Sequence, residues 1–414
     1  MDNTFLIGPF KQLLTLQNLP IKGALRDDDL EILDNGGLYI KNGLIEEVGN
    51  WGVLNQMLSP DIQRVTIDEN IVCLPSYIDC HTHIAFGGNR ANDFAMRNAG
   101  RSYLEIAESG GGIWSTVQHT RACSQEEQEE LILERAYQLL QQGITTIEVK
   151  SGYGLSIEEE LKTLRAVQKA HQRSSVDLIA TCLAAHIKPK DFEGTSEQYL
   201  QKIAHELFPI LQAENLCHRI DAFVEKSAFS AQEILPYLQK AQALGFDITL
   251  HADQFTTSGS QVAINLGALS ADHLEASGDI EIQNLANSNV VAVALPAASL
   301  GLGCDFTPAR KLLDAGASLA IATDWNPGSA PMGQLIASAS ILATMQKLSN
   351  AEILAGITFR AAKALGLADR GRLQKGYLAD FVLYQTNHYQ QIIYQQGRLQ
   401  PSEVWKNGQM IFNK

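Results

Sequence analysis

Eight short β-rich runs separated by helical stretches occupy residues 72 to 323, and no other feature limits the fold so strongly. They are Val72–His83, Ile144–Val149, Val176–His186, Ile220–Glu225, Asp247–His251, Ala268–Leu274, Val290–Leu295 and Ser318–Thr323. Between them, Ser124…Glu127, Ser156…Glu159 and Ser230…Glu233 have the hydroxyl-to-carboxylate spacing of a capping box. Gly143 and Gly245 stand where a helix needs a left-handed C-terminal residue. Strands alternating with helices call for a parallel sheet, and eight such units are the number that closes a barrel. An open doubly wound sheet with a nucleotide site requires a glycine fingerprint after its first strand. Gly110-Gly111-Gly112 lies too far beyond that strand and has no phosphate-binding lysine nearby. The expected class is α/β, a (β/α)8 TIM-like barrel.

The barrel does not use the whole chain. A barrel needs roughly 250 residues, and this sequence has 414. Leu38–Lys41 and Leu44–Val48 flank Asn42-Gly43, a strong hairpin turn, and Ala379–Tyr384, Val404–Trp405 and Met410–Phe412 surround a second such turn at Asn407-Gly408. The expected organisation is a small composite β-sandwich domain from residues 1–70 and 366–414 around a barrel of residues 71–365. The formal net charge of −14 argues against a nucleic-acid or acidic-membrane partner. No basic-then-apolar leader follows Met1, and no apolar run approaches membrane-spanning length. The 6 cysteines are scattered without a C-x-x-C pair, which reads as reduced thiols and a cytoplasmic location.

Chemistry-bearing residues collect at the strand ends. In Leu74-Pro75-Ser76-Tyr77-Ile78-Asp79-Cys80-His81-Thr82-His83 the two histidines share one face of an extended chain, roughly 6.5–7 Å apart. An isolated H-x-H is commonly two surface imidazoles. The apolar run before this one buries it, and buried imidazoles need partners. His186 ends the third run, Glu225 the fourth and His251 the fifth, while His273 lies in the sixth and Asp324 follows the eighth. Barrel active sites form at that end. His119, His171, His205, His218 and His388 fall elsewhere and read as structural.

With these residues in hand, the sequence resembles the amidohydrolase superfamily and, within it, the imidazolonepropionase family. His81-Thr82-His83 matches the superfamily's first-strand signature. The narrower likeness rests on Gly88-Asn89-Arg90, Ser109-Gly110-Gly111-Gly112-Ile113, Glu148 to Leu155 (with Lys150-Ser151-Gly152-Tyr153-Gly154), Ala184-Ala185-His186, His251-Ala252-Asp253-Gln254, Ala271-Asp272-His273-Leu274-Glu275 and Thr323 to Ser329. It spans about residues 70 to 385.

The resemblance implies one metal ion per subunit held by His81, His83, His251 and Asp324. Three imidazoles and a carboxylate without a thiolate suit zinc or iron, divalent or trivalent. It further implies hydrolysis of the cyclic amide of 4-imidazolone-5-propanoate to N-formimidoyl-L-glutamate by metal-activated water. His273 and Asp324 take the catalytic roles, and the substrate is a small anion. Arg90 faces its propionate, since a guanidinium grips a carboxylate bidentately. Tyr153, His186, Gln254, Asn326, Gly328 and Ser329 match substrate-contacting positions, and the resemblance implies a homodimer. A second metal would call on Glu225 or Lys226. Many family members carry Glu where this chain has Gln254, and a glutamine cannot shuttle a proton. Proton transfer then rests on His273 and Asp324. Two rivals stand beside this reading: an aminohydrolase deaminating a purine or pyrimidine, and a non-catalytic assembly protein on the same fold.

Overall fold

The computed structural model describes residues 4–67 and 70–414. The chain opens with β1 (Thr4–Leu14), β2 (Ile32–Lys41), β3 (Leu44–Asn50), β4 (Gln63–Thr66) and β5 (Ile71–Pro75). The barrel strands follow: β6 (Tyr77–Asp79), β7 (Ile144–Lys150), β8 (Asp177–Ala185), β9 (Arg219–Val224), β10 (Asp247–Ala252), β11 (Ser270–His273), β12 (Val291–Ala294) and β13 (Ser318–Ile321). The chain ends with β14 (Phe381–Gln385), β15 (Glu403–Lys406) and β16 (Gln409–Asn413).

β6 to β13 pair in sequence order, each parallel to the next, with helices between successive strands. All seven residues of β7 are buried, the pattern of a strand covered on both faces. The helix-start readings hold. Ser124 and Ser230 form capping boxes with Glu127 and Glu233, and the Ser156 hydroxyl accepts from the Glu159 N–H. Gly143 and Gly245 adopt φ +92° and +86°.

The first and last barrel strands meet differently from the others. Beyond β6 and β13, Asp324 N–H donates to the His81 carbonyl and His83 N–H to the Trp325 carbonyl, both at 3.0 Å. Below these bonds, Asp79 spans the seam, accepting from the Thr323 N–H at 3.1 Å and its hydroxyl at 2.6 Å. The barrel is therefore sewn shut by the segments that carry His81, His83 and Asp324.

The two termini build the second sheet, in the order β16-β15-β14-β5-β1-β2-β3 with β4 branching from β1. Its strands form one connected, mixed hydrogen-bonded path. Phe5, Phe10, Leu38, Phe381 and their neighbours make a separate apolar cluster there. Both hairpin turns are present, with left-handed Asn42-Gly43 and Asn407-Gly408. The run Val72–His83 is not one strand. Ser76 donates its N–H to Asp380 of the terminal sheet, whereas Tyr77 donates to Gly143 of the barrel, so the chain changes sheets at that peptide.

Candidate metal centre

His81 and His83 leave the barrel mouth on the extended segment after β6, and His251 projects from β10. Their Nε2 atoms converge: His81 and His83 lie 3.2 Å apart, and so do His83 and His251. All three residues are buried. Asp324 adds a carboxylate, its Oδ1 at 3.5 Å from His81 Nε2 and 3.4 Å from His83 Nε2. Neither Asp324 oxygen has a hydrogen-bond partner among the described residues. A carboxylate only 1% exposed and without a donor is costly unless a cation or proton meets it. Burial pushes Asp324 up to about 7, and it holds His81 and His83 well below the usual imidazole range.

The opposite faces of the rings explain why the lone pairs point inward. His81 Nδ1 contacts Asp272 Oδ2 at 2.6 Å, and His251 Nδ1 faces Asp221 Oδ2 at 3.0 Å. A carboxylate accepts, so each Nδ1 carries the proton and each Nε2 is free to ligate. Asp221 also accepts from the His251 backbone N–H. Sequence reasoning assigned no role to Asp221, Asp272 or the buried Lys150 between them. A polar residue at the middle of a barrel strand carries no local signature. Only the period-2 placement of Asp221 and Asp272 on inward faces of β9 and β11, the strands either side of β10, could have flagged them. The described residues thus contain a three-histidine cluster able to hold a metal ion, and the donor set fits one.

Around this cluster the structure distributes the other sequence-derived residues unevenly. His186 stacks on His83 with ring centroids 5.6 Å apart, its Nδ1–H donating to the Gly152 carbonyl at 3.0 Å. Tyr153 lies 5.9 Å from the His83 ring, and its buried hydroxyl feels both the Asp324 carboxylate and the Arg90 guanidinium. Arg90 Nε bonds Asp93 Oδ2 at 2.7 Å. A Cβ on Gly328 would collide with Arg90 Nη1, so glycine permits that approach. His273 stands 5.4 Å from His251, ring to ring. It has φ +84°, an uncommon conformation of the kind that gathers at functional sites.

Asn326 faces inward along its own loop. Its amide donates to the Asp324 carbonyl and to Ser329 Oγ, while its Oδ1 accepts the N–H groups of Gly328 and Ser329. It organises the Asn-Pro-Gly-Ser turn that carries the other two residues. Gln254 is half-buried on the loop after β10. That loop is held by Glu225, whose oxygens accept from the N–H groups of Lys226, Phe255 and Thr256 and from the Thr256 hydroxyl. Glu225 is therefore committed to the loop and Lys226 is exposed, so neither is placed for a second metal.

Residues 110–412 match the amidohydrolase family. An imidazolonepropionase of Fusobacterium nucleatum is 38% identical over 390 residues, covering 94% of each chain. One from Acinetobacter baumannii is 40% identical over 380 residues, 90% of this chain and 95% of its own. One from Bdellovibrio bacteriovorus is 38% identical over 412 residues, 98% of this chain and 96% of its own. Among solved structures, an adenosine deaminase from Xanthomonas campestris with bound zinc superposes with a TM-score of 0.71 at 18% identity, covering 98% of this chain and 92% of that one. A guanine deaminase from C. acetobutylicum gives 0.69 at 14% identity, covering 99% and 100%. The deaminases share the fold alone, whereas the sequence relatives share the chain almost end to end. The chain belongs to the imidazolonepropionase family of the amidohydrolases.

Proposed function

We propose that this protein hydrolyses the cyclic amide of 4-imidazolone-5-propanoate to N-formimidoyl-L-glutamate at the barrel mouth, with His81, His83, His251 and Asp324 as the ligands of one zinc or iron ion. The observation that carries the site is the convergence of three buried imidazoles and one carboxylate without a hydrogen-bond partner among the described residues. A bound cation supplies Lewis acidity and lowers the pKa of a water from 15.7 toward about 7.

The protein's own groups handle position and protons. Arg90 binds the substrate propionate, its orientation set by Asp93. Tyr153 and His186, beside His83, and the Gly328-Ser329 turn, beside Arg90, contact the substrate. Asp324 accepts the proton released as water attacks the ring carbonyl. His273, supported by Glu275, polarises that carbonyl and delivers a proton to the departing ring nitrogen. Gln254 contributes binding only. The same reading assigns residues up to Pro75 and 366–414 to a supporting β-domain and Tyr77 to residue 365 to the barrel, so the boundary expected at 70/71 moves to Ser76, because β5 pairs with β1 and β14.

Turnover of freshly prepared imidazolonepropionate tests the proposal. Wild type should open the ring, and Arg90→Ala should lose roughly 10- to 100-fold in kcat/KM, mainly through KM. Equal activity of the two proteins would remove the substrate assignment. Wild-type turnover by Asp324→Ala would remove the role of that carboxylate.

A further inference from the structure

Lys150 ends β7 with no exposed surface and is not used by the reaction outlined above. Its ammonium lies 2.8 Å from Asp221 Oδ2, 2.9 Å from Glu148 Oε1 and 3.8 Å from Asp272 Oδ2. Two of these carboxylates are the ones that face Nδ1 of His251 and His81. A single cation on β7 thus touches the outer partners of ligands that come from two other places in the barrel, β10 and the segment after β6. Glu148 is anchored separately, accepting from the Thr181 hydroxyl at 2.6 Å.

We propose that Lys150 is a positioning residue for the metal centre: one buried ammonium, bonded to Asp221 and in contact with Asp272, holds both carboxylates in place against Nδ1 of His251 and His81, so that both rings turn Nε2 to the ion. The physical need is plain. Two carboxylates in a dry interior repel each other, and a cation shared between them fixes both in one arrangement. A carboxylate that swung away from Nδ1 would leave its ring free to turn, and Nε2 would no longer be aimed at the ion. Lys150 therefore couples two ligands that share no direct bond to it. Outer partners of this kind typically change metal affinity by about 10- to 100-fold.

This inference rests on the metal reading, and zinc affinity separates the two. The experiment measures zinc binding to metal-stripped protein by competition with a chromophoric chelator, in wild type, Lys150→Met and Glu148→Gln, with circular dichroism as the check on folding. Wild type should bind one zinc per chain, Lys150→Met should bind about 10- to 100-fold more weakly, and Glu148→Gln should stay within about threefold of wild type. No zinc binding by wild type would sink the metal site itself. Tight wild-type binding that Lys150→Met retains would overturn the role of Lys150 alone. An equal loss in Glu148→Gln would also overturn it, because any disturbance of the cluster would then suffice. If Lys150→Met does not fold, Lys150→Met/Glu148→Gln, which removes one charge of each sign, carries the measurement and should show the same weakening. Failure of both to fold even with zinc present assigns Lys150 to the core and overturns the proposal.

Discussion

The Glu275 carboxylate lies 3.4 Å from Nδ1 of His273, two residues along the same strand end, and takes a second bond from the Ser299 hydroxyl at 3.0 Å. Burial disfavours the charged imidazole, but Glu275 together with Asp324 and Asp272 outweighs it, so His273 sits above the ordinary histidine value. The ring is thereby oriented and kept ready to carry a proton. Glu275→Gln should lower kcat about 10- to 100-fold with little change in KM, because the ring loses its anionic support while the pocket keeps its shape. His273→Asn should be worse, by roughly 10²- to 10⁴-fold. A Glu275→Gln enzyme with wild-type kcat would leave the pair without function.

Arg90 is held from two sides. Asp93 bonds its Nε and also accepts the Gly112 N–H at 2.8 Å, tying the glycine-rich loop to the arginine. Gly328 leaves no room for a Cβ beside Nη1. Gly328→Ala should therefore displace the guanidinium and raise KM with a smaller effect on kcat. Arg90→Lys should restore less than a tenth of the kcat/KM lost in Arg90→Ala, since a point charge cannot replace a bidentate fork. Steady-state kinetics on the three variants decide this, and full rescue by lysine would contradict the assigned geometry.

The sequence exposes some of these relationships and hides others for physical reasons. His81, His83 and His251 are legible because period 2 and strand ends put them on one side of a buried run. The hidden partners, Asp221, Asp272 and Lys150, meet only when β7, β9 and β11 are brought around a closed barrel, a contact spanning up to 122 residues in sequence, from Lys150 to Asp272. Asn326 also has a role that a residue type cannot reveal: its amide holds its own turn together. The break at Ser76 is equally silent. The run Val72–His83 stays apolar while the chain passes between sheets, because both sheets bury it.

Metal removal should be visible in stability as well as in rate. An ion that binds the folded chain and not the unfolded one stabilises by about 4.1 kcal/mol at a free concentration 1,000 times its Kd. Prolonged chelation should therefore lower the thermal midpoint, and added zinc should restore it, because the three imidazoles and Asp324 are brought together only by folding. The check is differential scanning fluorimetry on stripped and zinc-loaded protein. An unchanged midpoint, with stoichiometric zinc verified in the loaded sample, would mean that these side chains do not hold the ion.

A last prediction concerns the joint between the two sheets. Asp177 opens β8 of the barrel, and its Oδ2 accepts from Arg370 at 2.5 Å and from Lys406, on β15 of the terminal sheet, at 2.7 Å. Burial works against its charge, but the Lys406 and Arg370 cations outweigh it and hold the carboxyl below 3.8. A depressed folded value means that the unfolded chain binds its proton first as pH falls. The stabilisation is then complete above the unfolded value near 3.8 and is lost as pH drops through the lower, folded value. Asp177→Asn should cost roughly 2 kcal/mol near neutral pH, since it removes the one carboxylate that two partly buried cations share. That gap should close only at the acid end, where wild type carries the proton too. Urea titrations of both proteins in steps from about pH 7 toward pH 3 read the difference directly, and a gap independent of pH would show that the carboxylate's charge is not what joins the sheets.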